Sequence, residues 1–97
     1  MDVILFPSST TASEALTIAL TMAISAPQHF EFLDTLIATA ERYAAGLDAT
    51  TVRDCKAAAL KQAERLISFE DRRGRRTDTP SLQEQERRMR SVCAKRA

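Results

Sequence analysis

Polar and apolar positions along this chain recur at helical spacing, and four segments show it. In the first, Glu14, Thr17, Thr21 and Ser25 fall three or four residues apart and form one narrow polar stripe. Around it Leu16, Ile18, Leu20, Met22 and Ile24 make the segment apolar almost all round, which predicts a helix over 12–25 that is central in its bundle or part of an interface. Thr11-x-x-Glu14 supplies a capping box for its start. In the second segment Phe30, Leu33, Ile37, Ala40 and Ala44 form one stripe, with Phe32, Leu36 and Tyr43 beside it. Glu31, Asp34, Thr35, Glu41 and Arg42 face away. Ser25-x-x-Gln28 and Pro27 place the start of this helix at 26, and Gly46 in a left-handed conformation is expected to end it at 45.

A third helix is predicted over 51–71, capped by Asp48 or Thr50. Val52, Cys55, Ala59, Ala63 and Leu66 share its buried face, and Leu60 and Ile67 sit at the edge. Gly74 breaks the pattern, leaving 72–79 as an arginine-rich loop. Thr79 and Pro80 read as N-cap and first helical position of a fourth helix over 80–95. Its apolar stripe is thin: Leu82, Met89, Val92 and Cys93, interrupted by Gln85. Glu84–Arg88 and Glu86–Arg90 are favourable i,i+4 pairs.

Ahead of the helices, Val3, Ile4, Leu5 and Phe6 form a short apolar run ended by Pro7 and a Ser/Thr cluster. With no second strand to pair with, residues 1–10 read as an apolar arm. The fold class is therefore all-α: one helical domain over 1–97, a compact bundle of three main helices with a loosely attached C-terminal fourth. Few glycines and prolines and abundant Ala, Leu and Arg agree with it.

Charge changes the picture more than composition does. All 14 Lys and Arg residues lie from Arg42 onward, so residues 1–41 carry −5 and the rest +6, giving +1 overall. The N-terminal half is acidic and apolar, the C-terminal half polar and arginine-rich. That asymmetry bears on partners rather than on fold. The stretch 15–26 is apolar but lacks the basic flank of a signal peptide. It is also shorter than the ~20 residues a membrane span needs. The expectation is a cytoplasmic protein without membrane association, its two cysteines reduced.

Candidate chemistry is sparse. His29 is the only histidine, placed on the apolar arc at the start of the second helix, where a structural role is expected. His29, Cys55 and Cys93 lack the paired spacing of a zinc site. Phosphate-binding glycine loops, HExxH and GxSxG are absent. The pattern of the all-helical chorismate mutases, with an arginine on a long first helix, is absent too. No catalytic residue, cofactor or metal site is assigned.

The expected function is that of a small non-enzymatic protein–protein interaction module. It would be an adaptor, regulator or inhibitor in bacterial or phage-type machinery, for instance of a nucleic-acid-handling complex. Its partner is another protein or a second copy of itself. Val3, Ile4, Leu5 and Phe6 would make apolar contact, while Arg72, Arg73, Arg75 and Arg76 supply a basic rim. The alternative is a nucleic-acid-binding accessory protein that contacts phosphates through Arg72, Arg73, Arg75, Arg76, Arg87, Arg88 and Arg90. Carboxylates dilute that segment to +4 from residue 70 onward, which disfavours the alternative. A helix-turn-helix across the glycine turn 45–49 is weak as well, because Asp54 and Glu64 lie among Arg53, Lys56 and Lys61 of the would-be reading helix and its first turn holds no Asn or Gln.

Overall fold

The computed structural model describes residues 11–74 and 80–96, with the backbone alone at 70–71 and 93–96. The four helices are α1 (Ala12–Ser25), α2 (Leu33–Ala45), α3 (Ala49–Arg72) and α4 (Leu82–Arg96). α1 is the central helix, packed against α3, α2 and α4 in decreasing extent. α4 also packs on α2 and barely reaches α3. The result is an all-α bundle of three main helices, with a fourth that makes less contact. The apolar arm lies outside the described residues.

Local chemistry sets most of the helix ends. The Thr11 hydroxyl accepts from the Glu14 backbone N–H at 3.3 Å and donates to the Glu14 carboxylate at 3.1 Å, starting α1 as the capping box predicts. The second helix starts seven residues later than expected, at Leu33 instead of 26. Ser25 does not cap it, because its hydroxyl donates back to the Thr21 carbonyl within α1. Ala26, immediately before Pro27, is extended (φ −65°, ψ 140°), as the proline ring demands of its predecessor. Residues 27–32 form tight turns instead, with the Phe30 N–H donating to the Pro27 carbonyl and the Leu33 N–H to that of Phe30.

Gly46 is also not left-handed: its φ is −91°, and a Cβ there would meet nothing nearer than the Tyr43 carbonyl at 3.7 Å. The left-handed glycine is Gly74 (φ +67°), just past the end of α3. Asp48 precedes α3 and accepts from the Thr51 hydroxyl. Ser81, in place of Thr79, caps α4 by accepting from the Glu84 N–H at 3.1 Å. Thr79 lies outside the described residues. The signal was Ser81-x-x-Glu84, the same capping pattern that opens α1.

The core is built from Leu16, Leu20 and Ile24 of α1, Ala40 and Ala44 of α2, Val52, Cys55, Ala59 and Ala63 of α3, and Val92 of α4. Three placements differ from the sequence pattern. On α1, Thr21 and Ser25 are buried and Ile18 and Met22 are exposed, so the outward stripe is Glu14–Ile18–Met22. A back-bonded hydroxyl satisfies itself on the carbonyl one turn earlier, and Thr17, Thr21 and Ser25 all do so, at 3.0, 2.7 and 2.7 Å. Their polarity therefore does not force them outward. On α3, Ile67 is buried and Leu66 exposed, because the inner face advances in steps of four after Val52 and Cys55. On α4, Leu82 is 71% exposed, and the inner face is Gln85, Arg88 and Val92.

Candidate interaction surface

α3 approaches α1 through small side chains. Cys55, Ala59 and Ala63, four residues apart, are buried at the contact, and the Cys55 thiol donates to the Ser13 carbonyl at 3.4 Å. Along one side of this contact an open groove is lined by Glu14, Thr17 and Ile18 of α1 and by Asp54, Ala58 and Gln62 of α3. α3 has 24 residues against 14 for α1 and so is the longer partner of the contact. Toward the C-terminal end of α3, Leu66 and Phe69 stand exposed, Phe69 by 54%. The Arg73 guanidinium carbon sits 5.3 Å from the Phe69 ring centroid, a cation–π contact that holds the cation beside the apolar surface. Lys61, Arg65 and Arg72 project from the adjoining outer face of α3. Glu14 and Asp54 thus make one end of this face acidic, Ile18, Ala58 and Gln62 give it a mixed middle, and Phe69 with Arg73 continues it along α3 alone.

Sequence reasoning missed most of this surface. The helical pattern puts Leu66 on the buried face of its helix and Ile18 and Met22 on a surface apolar nearly all round. The available signals were the i,i+4 run Glu14–Ile18–Met22 and the i,i+4 pair Phe69–Arg73.

The predicted site residues separate into distinct groups. Arg72 and Arg73 are exposed at the end of α3, Arg72 on its outer face and Arg73 over the Phe69 ring. Val3, Ile4, Leu5, Phe6, Arg75 and Arg76 lie outside the described residues. Arg87 is exposed but forms a bidentate pair with Glu84, at 2.6 and 3.0 Å, and Arg90 is exposed on α4. Arg88 must be removed from the phosphate-contacting set. It is 2% exposed, and its Nη1 donates to the carbonyls of Ala23, Ile24 and Ala26 at the C-terminal end of α1, at 2.5, 3.2 and 2.7 Å. α1 has no basic residue in its own last turn, so an arginine from α4 supplies the cation that a helix C-terminus favours.

Glu84 orients that arginine. Its Oε1 is 3.3 Å from Arg88 Nε, while the hydrogen bond from Arg87 does most to hold its carboxyl below the usual range. The same bond raises the already high pKa of Arg87. His29 is exposed in the turn between α1 and α2, rather than on a buried arc. Among the described residues no helix is long and apolar enough to cross a membrane, and no three His, Cys, Asp or Glu side chains group as metal ligands.

No family model, curated protein or solved structure matches the chain.

Proposed function

We propose that the chain is a non-enzymatic protein–protein interaction module that acts through the seam between α1 and α3. One observation carries the reading: Ile18, Met22, Leu66 and Phe69 are large apolar side chains, each about two-fifths to a half exposed, on the two helices that form the seam. Single exposed apolar residues are ordinary. Several on adjoining helices, flanked by charge, are the composition of an interaction site. An adaptor, regulator or inhibitor role fits such a surface. The test is a photo-crosslinking residue placed at Leu66, with Ala57 on another face of α3 as control. Protein adducts from position 66 and not from 57 support the reading. Absence of adducts at 66, or equal adducts at both, overturns it.

A second reading is favoured by Lys61, Arg65, Arg72 and Arg73 along α3 beside the exposed Phe69, a net-basic face with one stacking ring that also holds the Glu64 carboxylate. It predicts nucleic-acid binding that weakens steeply with salt and is lost in Arg65→Ala/Arg72→Ala/Arg73→Ala. Undetectable binding at low salt removes it.

A further inference from the structure

We infer that the seam binds a second copy of this chain, with the two α3 helices antiparallel about a two-fold axis. This rests on the seam being an interaction surface and names its occupant. The argument comes from the order of residues along α3. At 100° per residue, Asp54, Ala58, Gln62, Arg65, Phe69 and Arg73 fall within an arc of about 100°. Asp54, Ala58, Gln62, Arg65 and Phe69 are exposed on the helix, and Arg73 continues its line because its N–H still donates to the Phe69 carbonyl at 3.2 Å. The line therefore reads acid, small, polar, base, aromatic, base, with exposed Arg72, at the same wheel angle as Asp54, adding a further base at the Arg73 end.

An axis passing between the levels of Gln62 and Arg65 reverses that order in the partner. Asp54 of each copy then lies opposite Arg73 of the other, each about 14 Å along the helix from the axis. Ala58 lies opposite Phe69, about 8 Å from the axis, so a small residue faces each exposed ring. A two-fold interface requires a surface to be its own complement; this one is so in charge at its poles and in size at Ala58 and Phe69, while Arg65 falls opposite Gln62 of the other copy beside the axis. Glu14 at the same end as Asp54 reinforces the acidic pole, and Ile18 and Met22 on α1 flank the helix pair with apolar surface. α3 offers a strip about 36 Å long and α1 one about 21 Å long, each about 10 Å wide. Together they make on the order of 600 Å² per copy, at the lower edge of the roughly 600–1,000 Å² per partner of a specific interface.

The test uses the full chain in sedimentation equilibrium, with charge reversals at the two poles. The wild type is expected to dimerise. Asp54→Arg alone and Arg73→Asp alone each place like charges opposite one another at both ends, and each should weaken self-association at least tenfold. Mixing the two variants restores both opposite-charge pairs in a heterodimer, which should form with near wild-type affinity. Unchanged helical circular dichroism in each variant shows that folding is not the cause. Three results overturn the proposal: a wild type that stays monomeric at millimolar concentration, a dimer indifferent to both reversals, or a mixture that fails to associate. If adducts at position 66 join the chain to a different protein while the wild type stays monomeric, the interaction reading survives and the second copy is excluded.

Discussion

Arg88 donates from Nη1 to the carbonyl oxygen of Ala26 at 2.7 Å, across 62 positions of sequence, and the same nitrogen reaches the carbonyls of Ala23 and Ile24. The last carbonyls of a helix have no partner within it, and buried ones are costly to leave unmet. α4 makes few contacts, but this one closes the central helix of the bundle. Arg88→Ala is therefore expected to destabilise the fold by about 2–4 kcal/mol, from orphaned carbonyls together with lost packing. Arg88→Lys should recover part of the loss, because a single ammonium can reach carbonyls but cannot reproduce the fork that also engages Glu84. Urea unfolding followed by circular dichroism measures both. A loss for Arg88→Ala no greater than for the exposed Arg87→Ala would contradict the burial.

Glu84 gives the contact a pH dependence whose sign is fixed. Its carboxyl is held below the ordinary range, first by the hydrogen bond from Arg87 and also by the charges of Arg87 and Arg88. The folded state therefore binds its proton less readily than the unfolded chain does. The stabilisation is fully present above the unfolded pKa, near 4.5, and is lost as pH falls through the lower folded value. Glu84→Gln should be less stable than the wild type at neutral pH, and the gap should close on acidification below about pH 4.5. Paired urea titrations across that range measure it. A gap that widens in acid would reverse the assignment.

How much of this was legible in the sequence depended on whether a side chain acts locally. The Thr11–Glu14 cap, the α1 boundaries and the Val52–Cys55–Ala59–Ala63 face follow from spacing alone, because each rests on neighbours within a turn or two. Arg88 could not be read in that way. On the wheel it resembles any arginine of an i,i+4 pair, and only the arrival of α1's C-terminus beside it turns a surface charge into an interior cap. The absence of any cation before Arg42 was visible, but not its structural counterpart, that the central helix takes its C-terminal cation from the basic half. Leu66 and Ile67 exchanged places because one residue of drift over a long helix decides which of two adjacent apolar residues faces inward. The start of α2 was misplaced because Ser25 had two partners to choose from, and the α1 carbonyl won.

Close approach of α1 and α3 makes a further expectation. Ala59 is fully buried where the two helices meet, and Ala57, two positions earlier, is exposed. Ala59→Leu inserts three carbon atoms into a filled contact and should cost about 1–3 kcal/mol. Ala57→Leu adds the same atoms at a solvated position of nearly equal helix propensity and should stay within about 0.5 kcal/mol of the wild type. Thermal melts of the two variants separate them. Equal melting temperatures would show that the helices are not in close contact at Ala59.

Thr21 offers the sharpest contrast between pattern and packing. As a member of an outward polar stripe it would tolerate any polar replacement. It is instead 5% exposed, its hydroxyl donating to the Thr17 carbonyl at 2.7 Å. That carbonyl lies within the helix, where it also accepts the N–H four residues on, so removing the hydroxyl leaves no orphan behind. Thr21→Val keeps the branched shape and should change stability by no more than about 1 kcal/mol, in either direction. Thr21→Glu must bury a carboxylate against α1's neighbours or displace them, and should cost about 2–4 kcal/mol. Urea unfolding of both variants decides the matter. A well-tolerated glutamate would return Thr21 to the surface, whereas a tolerated valine with a damaging glutamate places it in the interior, satisfied by its own helix.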